Sequence, residues 1–361
     1  MRSRIVAALI ALGSVLASSC VLASPATADD AWQVRLLGEH VVPKGLVLNG
    51  APVGELSGID YDRRTGVWYL VSDDTEDGPA RFYTAELDLD SRGLHDVTFT
   101  DVREIRRTDG SPFPALSTDD PEVADPEAIR FDARSRTLWW SSEGKRDTSQ
   151  QLVDPWVREM TLDGDHLRQT RQPSVFTMRT EEVGPRANGV FEGLALSTDG
   201  RYLVTSMEAP LFQDGTAPEA DHRITFYDKR TGRPIRQVAY PLDDLPGNGI
   251  SEILAIDRHR YLVVERNYVA ELGNSIRAYE IDVRGATNVL RDDSLADGDY
   301  RPVRKRLVLD LADLGLDKVD NIEAVSWGPR LATGERTLVF VSDDNFNDTQ
   351  IGQVVAVAVR R

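Results

Sequence analysis

One unit recurs five times along the chain, and it restricts the fold more than any other feature. Each copy holds a small or acidic residue, a short apolar strand, a polar turn, a second apolar strand and then a Ser or acidic cluster. The copies run from Leu56-Ser57-Gly58-Ile59 to Val71-Ser72-Asp73-Asp74, from Pro126-Glu127-Ala128-Ile129 to Ser141-Ser142-Glu143, and from Phe191-Glu192-Gly193-Leu194 to Ser206-Met207-Glu208. Two more run from Ser251-Glu252-Ile253-Leu254 to Val264-Glu265-Arg266 and from Ile322-Glu323-Ala324-Val325 to Val341-Ser342-Asp343-Asp344. Turns such as Arg63-Arg64-Thr65-Gly66 and Ser197-Thr198-Asp199-Gly200 reverse a chain, and the flanks are β-branched and aromatic, so each copy reads as a hairpin. Weaker alternating runs follow at 81–88, 157–163, 223–228, 276–282 and 353–359, and most are succeeded by a further run such as Arg233 to Tyr240. Four strands per unit predict an all-β chain folded as a single β-propeller.

The recurring positions 57, 127, 192, 252 and 323 lie 70, 65, 60 and 71 residues apart. The stretches before the first copy and after the last together make one unit, so the termini are expected to share a blade. Trp32 to Val42 would then pair beside Gln353 to Val359 and remove a free sheet edge. Five blades follow. A sixth blade assembled from the long connections at 96–120 and 284–312, and a sandwich built from the same hairpins, are the structural alternatives.

Antiparallel pairing puts the start of a hairpin's first strand beside the end of its second. Glu127 with Glu143, Glu192 with Glu208, Glu252 with Glu265, Glu323 with Asp343, and Ser57 with Asp73 are therefore expected at one mouth of a central channel. The third strand begins at the same end, with Arg81, Arg158, Arg223 and Arg277. Carboxylates this close raise one another's pKa unless a cation compensates. Calcium is the expected cofactor, because it takes six to eight oxygens in loose geometry. Its candidate ligands are Glu127, Glu192, Glu208, Glu252, Glu265, Glu323, Asp343 and Asp344. The histidines, His40, His95, His166, His222 and His259, show no paired spacing and do not suggest zinc. The alternative is that the acids are solvated, or tied to loop amides and to the arginines as surface ion pairs.

The chain carries 42 Lys and Arg against 59 Asp and Glu, a net charge of −17. Such a surface repels nucleic acid and anionic lipid at long range. Only Lys44, Lys145, Lys229, Lys305 and Lys318 are lysines, so any anion site is expected to use arginine. Arg2, Arg4, the apolar stretch from Ile5 to Leu16 and Ala26-Thr27-Ala28 read as an export signal over residues 1–28, leaving 29–361 as one domain in a secreted or cell-envelope protein. The apolar run is too short to span a membrane. Cys20, the single cysteine, lies within the signal in a stretch resembling a lipoprotein box, so lipid anchoring there is the alternative to plain secretion. Cleavage after Ala28 leaves no thiol for a disulfide or metal site. Gly-x-Ser-x-Gly, P-loop and Gly-x-Gly-x-x-Gly motifs are absent. Trp139-Trp140 and Trp327 sit in strand positions and read as core, and Pro112 to Pro126 reads as a long loop between blades one and two, a candidate lid.

Leu56-Ser57-Gly58-Ile59, Asp125-Pro126-Glu127-Ala128-Ile129, Phe191-Glu192-Gly193-Leu194-Ala195 and Glu208-Ala209-Pro210-Leu211 carry a family resemblance. Gln213-Asp214-Gly215, Ser251-Glu252, Val264-Glu265-Arg266, Asn321-Ile322-Glu323 and Ser342-Asp343-Asp344-Asn345 extend it. The chain resembles the bacterial exported esterase-like or phytase-like domains, distantly similar to β-propeller phytases, over nearly all of residues 29–361. The resemblance implies calcium-assisted hydrolysis of a phosphoester, with Glu192 and Glu252 catalytic and Arg266, Lys145, Arg223 and Arg81 binding substrate. This chain departs from propeller phytases in its few lysines and in Ser57, where the other copies carry Glu. The chain is expected to be a monomer acting on a phosphoester or small-molecule ligand, and two further readings stay open: a calcium-dependent lactonase or carboxylesterase, and an exported binding module whose mouth holds a sugar or peptide without turnover.

Overall fold

The computed structural model describes residues 31–75, 78–148, 151–270, 272–296 and 298–361. The expected export signal and Cys20 lie outside them. Five four-stranded antiparallel sheets stand around a common axis. Blade one comprises Leu56–Tyr61, Trp68–Ser72, Arg81–Leu89 and Leu94–Glu104, and blade two Pro126–Asp132, Thr137–Ser142, Trp156–Met160 and His166–Gln169. Blade three comprises Gly193–Leu196, Tyr202–Ser206, His222–Asp228 and Arg233–Tyr240; blade four comprises Gly249–Ala255, Arg260–Val269, Gly273–Asp282 and Arg304–Asp310. Blade five holds Asn321–Trp327, Arg336–Asp343 and Gln353–Arg360, and its outer strand is Gln33–Val41 from the other end of the chain. That strand pairs from Gln33 opposite Arg360 to Val41 opposite Gln353, as the repeat spacing predicts. The long connections at 96–120 and 284–312 build no sixth blade, because parts of them form the outer strands of blades one and four.

Each innermost strand packs against the next, and Asn321–Trp327 closes the ring against Leu56–Tyr61. Both faces of every blade are therefore covered, and the core divides into five apolar layers, one per blade interface. Trp139 and Trp140 are fully buried in two of these layers. The turns between first and second strands are held by side chains that accept from backbone N–H groups two residues on: Asp62 from Arg64, Asp132 from Arg134, and Asp257 from His259. These turns ring the end of the axis opposite the acidic residues. No helix among the described residues is long and apolar enough to cross a membrane.

Candidate metal centre at the propeller mouth

In blades one, two, four and five a bulge interrupts the start of the innermost strand, between Leu56 and Gly58, Pro126 and Ile129, Ile250 and Glu252, and Ile322 and Ala324. The bulge re-aims one residue per blade. Strand register makes Ser57, Glu127, Glu192, Ser251 and Glu323 equivalent, and makes Asp73, Glu143, Glu208, Arg266 and Asp343 equivalent at the end of the second strand. Two residues upstream of the first set stand Glu55, Asp125, Val190, Gly249 and Asn321. Glu55 and Asp125 were not singled out from the sequence as site residues, yet their spacing places them on the same side of an extended chain as Ser57 and Glu127.

The mouth is thus lined by Asp73, Asp125, Glu127, Glu143, Glu192, Glu208, Glu323 and Asp343, with Glu55 and Asp344 at the margin. Oxygens of Asp73, Glu127 and Glu323 lie within 4.8 Å of one another, as do oxygens of Asp125, Glu127 and Glu143, so Glu127 is common to both groups. Burial, followed by repulsion among the acids, holds Asp73, Glu127, Glu192 and Asp343 well above the usual carboxylate range. The same causes push Glu143 up to about 8, although its carboxylate accepts from the Gly189 and Val190 amides. Burial and the neighbouring Asp74 and Asp344 push Glu55 up to about 7. Among the described residues one cation enters the ring, Arg266, which donates to Asn321 Oδ1 at 2.7 Å and Glu208 at 2.8 Å and lies 3.5 Å from Glu323. Its buried Nε and the buried Oδ1 of Asp73 have no hydrogen-bond partner. Asn321 also donates to Glu323 and Asp343, and Asn345 donates to Asp343.

Blade four departs from the expected pattern. It shares the bulge of blades one, two and five, but strand pairing there puts Ser251 and Arg266, not Glu252 and Glu265, at the ring positions, because the two acids stand one residue from those positions. Glu265 turns away and accepts from Tyr240, Lys305 and Asn248. Glu252 lies below the mouth as the fully buried counter-ion of Arg130, at the level where the other blades carry Gly58, Ala128, Gly193 and Ala324. The Arg130 guanidinium spans the axis and donates to one carbonyl from every blade: Ile59, Ile129, Leu194, Ile253 and Val325. The sequence reading did not include Arg130. Its single signal is a charged residue facing inward on an otherwise apolar strand.

The expected phosphate contacts also lie elsewhere, Arg266 excepted. Arg81 pairs with Asp74 at 2.6 Å and donates to Tyr83. Arg223 grips Asp214 with two hydrogen bonds of 2.6 and 2.7 Å. Lys145 donates to the carbonyls of Leu116 and Thr118, pinning the loop after Pro112, and Arg158 pairs with Glu122 of the same loop at 2.7 Å. Arg277 pairs with Asp310 at 2.9 Å. Asp344 accepts from the Glu55 amide at 3.0 Å.

The donors are all oxygens, at least one buried carboxylate oxygen is unpartnered, and no histidine belongs to either group of three. This set fits a hard cation such as calcium and does not fit zinc. Fold and site together define a five-bladed β-propeller with an acidic mouth and a sealed axis. A family model described as "Phytase-like: Esterase-like activity of phytase" matches residues 51–346, and the chain belongs to that family. No curated protein matches the chain in sequence. Among solved structures, an engineered GH43 glycoside hydrolase with endo-xylanase and exo-arabinofuranosidase activity is similar at 11% identity and a TM-score of 0.45. That match covers 91% of this chain, which spans about half, 52%, of the other. The α-L-arabinofuranosidase from Lactobacillus brevis is similar at 10% identity and a TM-score of 0.47, covering 84% and 90%. The periplasmic gluconolactonase of Pseudomonas aeruginosa is similar at 12% identity and a TM-score of 0.37, covering 86% and 87%. Likenesses this remote do not extend those proteins' activities to this chain.

Proposed function

We propose that the protein is an exported, calcium-assisted hydrolase acting on a phosphoester at the acidic mouth. The observation that carries this reading is the crowding of buried carboxylates around Glu127 with Arg266, among the described residues, as their one cationic neighbour, an arrangement whose deprotonation near neutral pH is favoured by further positive charge. Asp73, Glu127 and Glu323 would hold one ion, and Asp125, Glu127 and Glu143 offer a second position sharing Glu127. The chemistry such an ion supplies is Lewis acidity toward a phosphoryl oxygen and a lowered pKa for bound water. The part-exposed guanidinium of Arg266 can donate to a substrate oxygen. Glu192, kept protonated by burial and by Glu208, can give its proton to the leaving oxygen. Glu252 has no part in this chemistry, since Arg130 and the Leu194 and Ile253 amides occupy it.

A second reading rests on the engagement of Arg81, Arg223 and Lys145 within the fold. With so few cations free for phosphate, a neutral carboxylic ester or lactone also suits the mouth. Calcium titration by calorimetry, followed by hydrolysis of p-nitrophenyl phosphate, p-nitrophenyl acetate and a simple lactone, separates the readings. Calcium binding that is weakened about tenfold or more in Glu127→Gln supports the metal centre. Calcium-dependent phosphomonoester turnover, lost in Glu192→Gln, supports the phosphoesterase. Turnover of the acetate or lactone alone moves the assignment to the second reading, and calcium binding without turnover of any substrate leaves a binding module.

A further inference from the structure

The other end of the axis has the opposite chemistry. A cavity of about 320 Å³ opens there, lined by the far ends of all five innermost strands, including Asp60, Phe131, Leu196, Leu254 and Trp327, and reaching down to Arg130. Its two carboxylates are already used. Asp60 accepts from the Phe131 amide and the Ser326 hydroxyl, and Asp62 accepts from the Arg64 amide and the Thr65 hydroxyl and faces Arg136.

Three of the four cations are not used, Arg130 being held by Glu252. Among the described residues, the side chains of Arg63, Arg64 and Arg336 at this cavity make no hydrogen bond or ion pair. Arg336 is half-buried, with its guanidinium carbon 3.4 Å from the centre of the Trp327 ring. Burial, Arg63 and Arg330 lower its pKa to about 10, the effect expected of a guanidinium among like charges with no acid beside it. In a chain of net charge −17, where the buried Arg81, Arg130, Arg158 and Arg223 each have a carboxylate partner, three unpaired arginines lining one cavity with apolar walls leave donors suited to an anion.

We propose that this cavity binds a small organic acid, its carboxylate or phosphate held among Arg63, Arg64 and Arg336 and its apolar body against Tyr61, Leu196 and Leu254. The site goes beyond the proposed hydrolase and is independent of it, because Arg130 closes the axis between the two ends. The test uses benzoate and phenyl phosphate as probes, with benzyl alcohol as the uncharged control, in calcium-free buffer. Tryptophan fluorescence, to which Trp327 contributes, and ligand-observed magnetic resonance report binding. At least one anion should bind saturably at millimolar concentration or below while the alcohol does not, and which anion binds identifies the preferred headgroup. Arg336→Met should weaken binding about tenfold or more, and Arg63→Gln, on an exposed turn that tolerates change, severalfold. Calcium titration at the acidic mouth should be unchanged in both variants, so failure here is read separately from failure of the hydrolase assignment. No saturable anion binding, equal binding of the alcohol, or wild-type affinity in both variants overturns the proposal.

Discussion

Arg130 is a buried charge whose hydrogen bonds bring the five blades to one point, and removing it exposes how much of the fold depends on that point. Arg130→Met would strand Glu252 in the interior without its partner, a loss of about 3–5 kcal/mol. Glu252, pushed up to about 7 mainly by burial, would then take up a proton more readily. Chemical denaturation should therefore show the double variant Arg130→Met/Glu252→Gln recovering part of that loss, and purely additive losses would speak against the pair. The mouth acids make a second prediction. Glu143, at about 8 in the folded chain against 4.5 ordinarily, keeps a proton that the unfolded chain has released. Stability contributed by such a group is present below pH 4.5 and is lost as the pH rises from there to about 8. Melting in the presence of a chelator should fall across that interval, and calcium should restore more stability at its upper end. Equal calcium effects at both ends would contradict the ionic coupling.

The innermost strands approach one another closely enough to leave no room for a side chain at Gly58 and Gly193. A Cβ on Gly58 would stand 2.7 Å from the Ile129 amide nitrogen and 2.9 Å from Ala128 Cα. Gly58→Ala should cost about 1–3 kcal/mol in thermal or chemical unfolding, since backbone must move to admit it. The loop after Pro112 is held differently, by polar ties to Lys145, Arg158 and Arg107 and by Phe113 stacking on Trp156 at 6.2 Å. Lys145→Met should speed amide exchange at residues 115–120 while leaving calcium affinity at the mouth unchanged. A fall in calcium affinity would tie the loop to the metal centre.

At the level of the whole molecule, the ring is closed by chain ends far apart in sequence. A chain beginning at Pro43 lacks the outer strand of blade five and exposes the edge of Gln353–Arg360. Relative to a chain beginning at Asp29, it should melt at lower temperature and form larger species in size-exclusion chromatography, because an unpaired edge recruits other strands. Unchanged melting and size would mean that three strands suffice for that blade. The two ends of the axis also differ in charge, acidic at one and arginine-rich at the other, with Arg130 between them.

Periodicity pointed to the all-β class, five blades and the shared terminal blade, because each hairpin repeats the same apolar alternation and turn chemistry, and the strand order excluded a sixth blade and a sandwich. Periodicity also placed Glu127, Glu143, Glu192, Glu208, Glu323, Asp343, Ser57 and Asp73 at one end of the ring, while Arg266 came from the family resemblance. Strand pairing decided the rest. In blade four the acids Glu252 and Glu265 lie one residue from the positions that the bulge and the pairing bring to the mouth, and Ser251 and Arg266 stand there instead. Partnership was equally hidden: Arg81, Arg223 and Arg336 look alike in sequence, and only the tertiary structure gives the first two a carboxylate each and leaves the third with none. Repetition along a chain specifies the blades, whereas the chemistry of an axis depends on which side chains five separate strands bring within a few ångströms of one another.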